Sequence, residues 1–296
     1  MFEGASVTKD GDITDEYDFN EPHAKANLLL QCHFNRRPLS VDLRTDQKMI
    51  LERAIKLVHA MVDVISTNGF LNATLLAMEL SQMIVQAMWP KQSPLLQLPG
   101  FDSDLVETLK KKVKVEDITD FMNMEDEDRE KFVPVSQKEM EKLADVCNRY
   151  PIVELKYEIS ADDEKSDEEA KDESTGLAFE PGQNVNIEVT VSRDEDEDEE
   201  SLEVFNQPAF AQFYPEKKSE EWWVVIGHTA SGKLLAIKKI PNFKAQRSVL
   251  TKLSFAVGAG DFIRQGESYA DLKLYLVCDS YVGCDLQENL QIKLKI

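Results

Sequence analysis

The chain has 296 residues, a net charge of -21 and 42% hydrophobic residues. This length and apolar content suffice for two domains with a core each, and the strong negative charge disfavours a protein that holds nucleic acid through a broad basic surface. The four cysteines are scattered, and no apolar run approaches the roughly 18 residues of a membrane span. The sequence therefore predicts free thiols in a reducing compartment and no membrane association.

The N-terminal third has the apolar spacing of helices. Residues 1–19 show no periodicity and are interpreted as a linker, whereas residues 20–94 are predicted to form a helical bundle. Its three helices are predicted over residues 20–35, 45–67 and 72–89, with N-caps at Asn20, Thr45 and Asn72.

The second and third helices are expected to pack antiparallel, because Asn68 and Gly69 provide a left-handed stop between them. Helical spacing places Met61 on the buried stripe of the second helix and Leu76 on that of the third. Residues 95–150 read as a helix-loop-helix region and a closing helix. Ser136 and Glu139 form a capping box at the start of that closing helix.

After Pro151 the apolar period changes to two, which is typical of half-buried strands. Seven strands are predicted, near residues 153–159, 185–191, 222–228, 233–240, 248–257, 269–278 and 289–296. Together with a tryptophan in the third strand, they predict an immunoglobulin-like β-sandwich over residues 151–296. The predicted fold class is therefore α+β with several domains: an all-α helical bundle and helix-loop-helix, followed by an all-β immunoglobulin or fibronectin-III-like sandwich.

No nucleotide-binding or nucleophile motif is present, so no catalytic, cofactor-binding or metal site is predicted. Cys32 beside His33 is interpreted as a buried cysteine next to a surface histidine rather than as a metal ligand pair. Cys278 and Cys284 lack the spacing of a redox pair. The acidic runs 162–173 and 194–200 are interpreted as solvated loops, with docking of a basic partner as the alternative.

Three aromatic residues are candidates for protein interaction: Phe210, Phe213 and Trp223. Trp222 and Trp223 must point to opposite faces of their strand, so one belongs to the core. The other is expected either to lie under the loop 208–214 or to meet a partner. Basic candidates for RNA contact are Arg36, Arg37, Arg44, Lys111 and Lys112, and the last two lie in a turn without glycine.

Several long runs resemble a known family. They are NEPHAKANLLLQCHFNR at 20–36, DVISTNGFLNATLLAMELSQMIVQAMW at 63–89, LPGF at 98–101, MEDEDRE at 124–130, VCNRYP at 146–151, EEWWVVIG at 220–227 and DSYVGCD at 279–285. In this order they are similar to the Sec-sixty-three homology unit of the large spliceosomal DExH-box RNA helicases that unwind the U4/U6 duplex within the U5 snRNP. The similarity covers about residues 20–296.

The resemblance implies a bundle, a helix-loop-helix and an immunoglobulin-like domain that follow the motor domains of a helicase, here most closely the C-terminal of two cassettes. ATP and Mg are implied for the parent helicase, and no cofactor for this fragment. Related units place basic residues of one bundle helix along a nucleic-acid channel, and the matching residues here are Lys48, Arg53 and Lys56.

The leading hypothesis is a nuclear, monomeric, non-catalytic module that docks splicing factors and regulates a spliceosomal helicase during pre-mRNA splicing. Its expected partners are other spliceosomal proteins and the helicase's own upstream domains, with the sandwich half supplying much of the binding. The alternative is an accessory domain that guides RNA during unwinding.

Overall fold

The computed structural model describes residues 21–133, 135–161, 178–180, 182–193, 207–240, 247–257 and 269–294. The predicted linker 1–19, the predicted cap Asn20 and both acidic runs lie outside the described residues. The helices are α1 (Pro22–Phe34), α2 (Val41–Thr67), α3 (Leu71–Gln86), α4 (Ser103–Val113), α5 (Ile118–Met122), α6 (Asp126–Phe132) and α7 (Gln137–Arg149), with a 3₁₀ turn at Pro94–Gln97. The strands are β1 (Val153–Ala161), β2 (Ala178–Phe179), β3 (Asn184–Arg193), β4 (Trp222–His228), β5 (Lys233–Ile240), β6 (Ser248–Ala256), β7 (Tyr269–Cys278) and β8 (Leu286–Leu294).

These elements confirm the mixed α+β class. The strands form a five-stranded sheet in the order β2-β8-β7-β4-β5 and a three-stranded sheet in the order β1-β3-β6. All neighbours are antiparallel except β2, which pairs with the end of β8 in parallel. Alternate residues of both sheets share one apolar cluster, which includes Val185, Ile187 and Val189 of β3 and Val224 of β4. The two sheets therefore pack face to face.

Strand β4 is buried on both of its faces. Trp222 and Val224 point into the core between the sheets, while Trp223 and Val225 lie in a second cluster with Val62 of α2 and with α3. The helices α2 and α3 therefore form a third layer on the outer face of the five-stranded sheet. A strand covered on both sides reads as a continuous apolar run, as the sequence WWVVI does.

The hairpin between α2 and α3 is fastened to the sheet. Gly69 has a φ of +74°, which confirms the predicted left-handed stop. The Leu234 N–H donates to the Gly69 carbonyl at 2.8 Å, and the Leu71 N–H donates to the Gly232 carbonyl at 2.9 Å. The start of β5 therefore fixes the position at which α3 begins.

Several predicted helix ends are wrong. α2 begins after Ser40 rather than at Thr45, whose hydroxyl donates back to the Val41 carbonyl inside the helix. α3 begins after Phe70, which offers no side-chain cap, and it ends at a left-handed Ala87 rather than at Trp89. The Ser136–Glu139 capping box of α7 is confirmed.

The apolar core continues across the predicted domain boundaries. Leu95, Leu109 and Leu143 from the helix-loop-helix region share a cluster with Trp222 and the inner faces of both sheets. The boundaries near residues 94 and 150 stay predictions, but the contacts across them are apolar and buried. Among the described residues, no helix has the length and hydrophobicity that a membrane crossing requires.

Candidate protein interface

The outward face of α2 carries an apolar stripe. Leu57 is 65% exposed, Met61 45% and Val64 64%. Their spacing of four and three residues places them on one side of the helix, opposite the buried Ile55 and Val62. The predicted burial of Met61 is therefore wrong, because the helix has more apolar positions than one buried face can use. The predicted burial of Leu76 on α3 is also wrong, since this side chain is 64% exposed.

Basic residues are also exposed on α2. Arg44, Lys48, Arg53 and Lys56, all predicted RNA contacts, are exposed along α2. Lys48 lies 3.6 Å from Glu52 one turn later, so part of its charge is balanced within the helix. The surface of α2 therefore combines exposed methyl groups with ammonium and guanidinium groups.

Arg36, another predicted RNA contact, has a structural position. Its Nε donates to the Ala87 carbonyl at 3.1 Å and its Nη2 to the Gln86 carbonyl at 3.2 Å. These are carbonyls at the C-terminus of α3, where a cation is favoured by the helix dipole. Burial lowers the pKa of Arg36. Its neighbour Arg37 is exposed.

The lysines at the end of α4 also stabilise the helix to which they belong. Lys111 lies 2.5 Å from Glu107, one turn earlier, and both Lys111 and Lys112 belong to the last turn, where positive charge complements the helix dipole. Lys114 follows in the left-handed conformation, with a φ of +59°. Lys111 and Lys112 are exposed and remain candidates for RNA contact.

The loop before β4 covers the helices. Its Ala211 and Tyr214 pack against the cluster formed by α1, α2 and α3. Phe210 is half-buried, with its N–H donating to the Tyr281 hydroxyl at 2.8 Å. Phe213 is 39% exposed, and the Arg36 guanidinium lies 4.5 Å from its ring centre. Of the predicted aromatic candidates, Phe213 presents the most surface.

Trp223 is not available to a partner because it is only 2% exposed. Its cover is the helical layer, not the loop 208–214 as expected: the His59 ring meets it edge-on at 5.1 Å. Lys239 lies 5.4 Å from the same ring. Trp222 is fully buried in the other core, where its Nε1 donates to Glu220 at 2.7 Å. The two tryptophans thus serve two different interfaces within the protein.

A charged cluster lies where α2 meets the sheet. Asp279 is fully buried and accepts hydrogen bonds from Lys218 at 2.5 Å and from the Glu221 N–H at 2.9 Å. Burial alone would raise the pKa of Asp279, but the His59 ring with its Nε2 3.5 Å away, the ammonium group of Lys218 and the hydrogen bond from the Ser280 hydroxyl lower it.

His59, Glu221 and Asp279 present ligand atoms within 4.8 Å of one another, which makes them a candidate metal-binding set. However, Lys218 pairs with Asp279, and Lys239 lies 2.7 Å from Glu221. A metal ion would have to displace two ammonium groups that already neutralise these carboxylates. The cluster is better described as an ion-pair network that joins helix and sheet.

The turn between β7 and β8 is an anchor that the sequence reasoning missed. Gln82 and Gln86 of α3 donate to the carbonyls of Cys278 and Ser280, at 2.8 and 2.7 Å. Gln97 exchanges two hydrogen bonds with Val282, one to its carbonyl and one from its N–H, each 2.9 Å long. The available signal was the presence of three glutamines among apolar residues, since buried amides need partners.

The cysteine and histidine predictions have mixed outcomes. All four cysteines are free, as predicted. The prediction for the pair at residues 32 and 33 is wrong in its orientation, because His33 is 4% exposed while Cys32 is half-buried. The His33 Nε2 bonds the Ile84 carbonyl at 2.7 Å, and burial lowers the pKa of this imidazole.

The profile of the Sec63 Brl domain family matches residues 8–291, nearly the whole chain. The chain belongs to this family. Similar proteins include the Drosophila melanogaster U5 small nuclear ribonucleoprotein 200 kDa helicase, 38% identical over 93% of this chain and 11% of the relative. The Arabidopsis thaliana RNA helicase DExH12 is 39% identical over 93% of this chain, which corresponds to 12% of the relative's length. The Homo sapiens U5 200 kDa helicase is 37% identical over 94% of this chain, which corresponds to 11% of the relative's length.

These findings confirm the resemblance to the Sec63 unit of spliceosomal DExH-box helicases. The Sec63 Brl chain spans about a tenth of the length of these relatives. Among solved structures, a Pseudomonas fluorescens alkylpurine DNA glycosylase, AlkC, bound to DNA, gives a match that covers 75% of this chain and 64% of the glycosylase chain. Its identity of 9% and TM-score of 0.24 are too low to show a shared fold.

Proposed function

We propose that this Sec63 Brl chain is a non-catalytic docking and regulatory module of a spliceosomal RNA helicase, and that it binds splicing proteins and the helicase's own upstream domains. The observation that carries the proposal is the outward stripe of Leu57, Met61 and Val64 on α2. Exposed apolar side chains at helical spacing are the anchors by which a helix face meets a partner. The relatives named as helicases support the setting.

The proposal has several further parts. The module works as a monomer in the nucleus, in the C-terminal cassette of its parent, and it needs no cofactor, because ATP and Mg belong to the parent's motor domains. The β-sandwich is of the immunoglobulin or fibronectin-III type. Three observations support this last part: every strand pair except β2–β8 is antiparallel, the inward residues of both sheets share one core, and Trp222 lies fully inside that core.

A second candidate function is RNA guidance, favoured by the exposed cations Arg44, Lys48, Arg53 and Lys56 on the same helix. The net charge of -21 opposes it, since phosphates are repelled by the rest of the surface. A salt titration with a single-stranded 20-mer RNA separates the two functions. Micromolar affinity that falls steeply with salt, and that Arg53→Gln with Lys56→Gln abolishes, would establish RNA guidance instead.

Surface substitution tests docking better than truncation. Removing residues 151–296 would expose Val62 and the other helix residues that pack on β4, so loss of binding would then report unfolding. We therefore compare the intact chain with a Leu57→Ser, Met61→Ser variant in capture from nuclear extract. The double variant is expected to lose most of the splicing proteins that the unmodified chain retains.

The matched control is Val41→Ser, a 77% exposed apolar residue at the start of the same helix, which should retain them. Equal capture by the double variant and by the unmodified chain would contradict a docking role for this face. Absence of any splicing protein with the unmodified chain would contradict the proposed function itself. Thermal unfolding of each variant establishes that the fold is unchanged.

A further inference from the structure

A groove of about 610 Å³ runs between α3 and the outer face of β7 and β8. It exists because α3 covers Val277 of β7 and stops short of β8. Leu75, Leu76 and Glu79 line its helical side, and Tyr275 and Leu286 line its sheet side. The groove is distinct from the α2 stripe, and its lining residues belong to other elements.

The walls of the groove are mainly apolar. Leu76 is 64% exposed, and Leu75, Tyr275 and Leu286 are each half-buried. Leu75 and Tyr275 also pack against the cluster below α3, so their positions are fixed by the core. A concave site with rigid apolar walls provides burial for an apolar side chain at little ordering cost.

The same groove contains two carboxylates, Glu79 on the helix and Asp285 immediately before β8. Asp285 accepts hydrogen bonds from the Gln82 amide at 2.9 Å and from the Cys278 N–H at 2.8 Å, which hold it in place. Within the described part of the chain, no lysine or arginine forms an ion pair with either carboxylate. Lys273, on the neighbouring strand, donates to Gln287 at 3.5 Å instead.

The electrostatic environment of Asp285 calls for a cation. Burial and, to a smaller extent, the nearby Glu79 charge raise the pKa of Asp285 to about 6, against the two hydrogen bonds that lower it. Two like charges beside one groove are stabilised when an opposite charge enters between them. Arginine meets a carboxylate through two parallel hydrogen bonds, and lysine meets it as a point charge.

We propose that this groove binds a peptide segment of another protein, one that places a lysine or arginine between Glu79 and Asp285 and apolar side chains against Leu76 and Tyr275. The proposal deepens the docking function, on which it rests, by assigning a second surface and the chemistry of its partner. Nucleic acid fits the groove poorly because its phosphates would face both carboxylates. A small cation alone would leave the apolar walls unused.

The test selects ligands from a library of random 12-residue peptides displayed on phage, with the intact chain as the target. We expect the peptides that bind in the groove to be enriched in arginine or lysine next to leucine, isoleucine or phenylalanine. The affinity of a selected peptide, measured by fluorescence anisotropy, should fall roughly fivefold or more with Glu79→Gln and with Leu76→Ser.

The control is Glu127→Gln, which makes the same charge change at an exposed position on α6 and should leave the affinity unchanged. Both Glu79→Gln and Leu76→Ser alter partly or largely exposed residues, so they are expected to fold, which circular dichroism establishes. Asp285→Asn is the second carboxylate variant. Its amide oxygen can still accept from the Cys278 N–H.

Three outcomes would overturn the groove assignment: selection of no peptide, selection of peptides without a basic residue, or affinities that none of the groove variants changes. These are distinguishable from failure of the docking function. If nuclear-extract capture succeeds while Glu79→Gln and Leu76→Ser capture the same proteins, docking stands and the groove is not the surface used. If the unmodified chain captures no splicing protein, the docking function fails irrespective of the peptide result.

Discussion

At the scale of single residues, Arg36 joins the end of α1 to the C-terminal carbonyls of α3. Arg36 and Arg37 are adjacent and are both predicted RNA contacts, yet Arg36 turns inward to the carbonyls that end α3. Its left-handed backbone, with a φ of +51°, directs it there. That conformation is the left-handed end of a local helix cap, in which the Arg36 N–H donates to the His33 carbonyl and the Arg37 N–H to the Cys32 carbonyl. The acceptors for the Arg36 side chain lie on α3, however, and no local pattern contains them. The tryptophan pair shows the same limit: alternation predicts opposite faces, but only the fold shows that both faces are covered.

The position of Arg36 leads to a prediction of stability. Arg36→Ala leaves the carbonyls of Gln86 and Ala87 without their donors, so it should lower the free energy of unfolding by about 1–3 kcal/mol. Arg37→Ala removes the same charge from an exposed neighbour and should change it by less than about 0.5 kcal/mol. Urea denaturation measures both. Equal effects of the two substitutions would show that Arg36 is not a helix cap.

At the scale of elements, periodicity is most successful for the strands. The predictions for 222–228, 233–240 and 269–278 coincide with β4, β5 and β7. β2 is absent from the predicted strands because two residues carry no period. The helix starts are predicted less well. α2 and α3 begin without a side-chain cap, and polar residues inside both helices resemble N-cap residues. The exposed stripe of α2 is not predicted because spacing alone cannot decide which of two apolar faces is buried.

The contact between α3 and β4 leads to a second prediction. β4 has a bulge at Ile226 and Gly227, and a Cβ at Gly227 would lie 2.5 Å from Leu71 Cδ1. Leu71 is fully buried, so its side chain can shift only by displacing the core residues around it. Gly227→Ala should therefore lower the free energy of unfolding by about 1–3 kcal/mol through overpacking.

A double-mutant cycle identifies the cause. Leu71→Ala alone should cost about 2–5 kcal/mol as a cavity. The double variant should lose less unfolding free energy than the sum of the two single variants, by at least about 0.5 kcal/mol. The reason is that the methyl group added at Gly227 would occupy the space that Leu71→Ala leaves empty. Strict additivity in urea denaturation would mean that the two positions do not collide, and that Gly227 is needed for another reason.

At the scale of the whole molecule, the structure shows three layers, and apolar cores cross the predicted domain boundaries. The 3₁₀ turn contributes Leu95 and α7 contributes Leu143 to the cluster between the sheets, and α2 covers Trp223 from the other side. Such contacts join residues that lie far apart in the chain. Composition and periodicity describe single elements, so they cannot predict which elements share a core.

Shared cores predict cooperative unfolding. Neither the helices nor the sheets can open without exposing Trp223 to water, so circular dichroism of the helices and tryptophan fluorescence should give one transition with the same urea midpoint. Trp89→Phe sharpens the measurement, because Trp89 is 36% exposed and the two remaining tryptophans are buried. Helical signal that persists after the fluorescence change would show that the helical part folds by itself.

The turn joining β7 and β8 has a consequence for how this family can diverge. Its backbone is held by side chains from α3, from the 3₁₀ turn and from the end of α7, where the Tyr150 hydroxyl donates to the Val282 carbonyl. Inserting or deleting one residue would shift every acceptor away from its donor at once. Evolution can therefore exchange side chains here far more readily than it can change the number of residues, and homologues should vary in length at other connections.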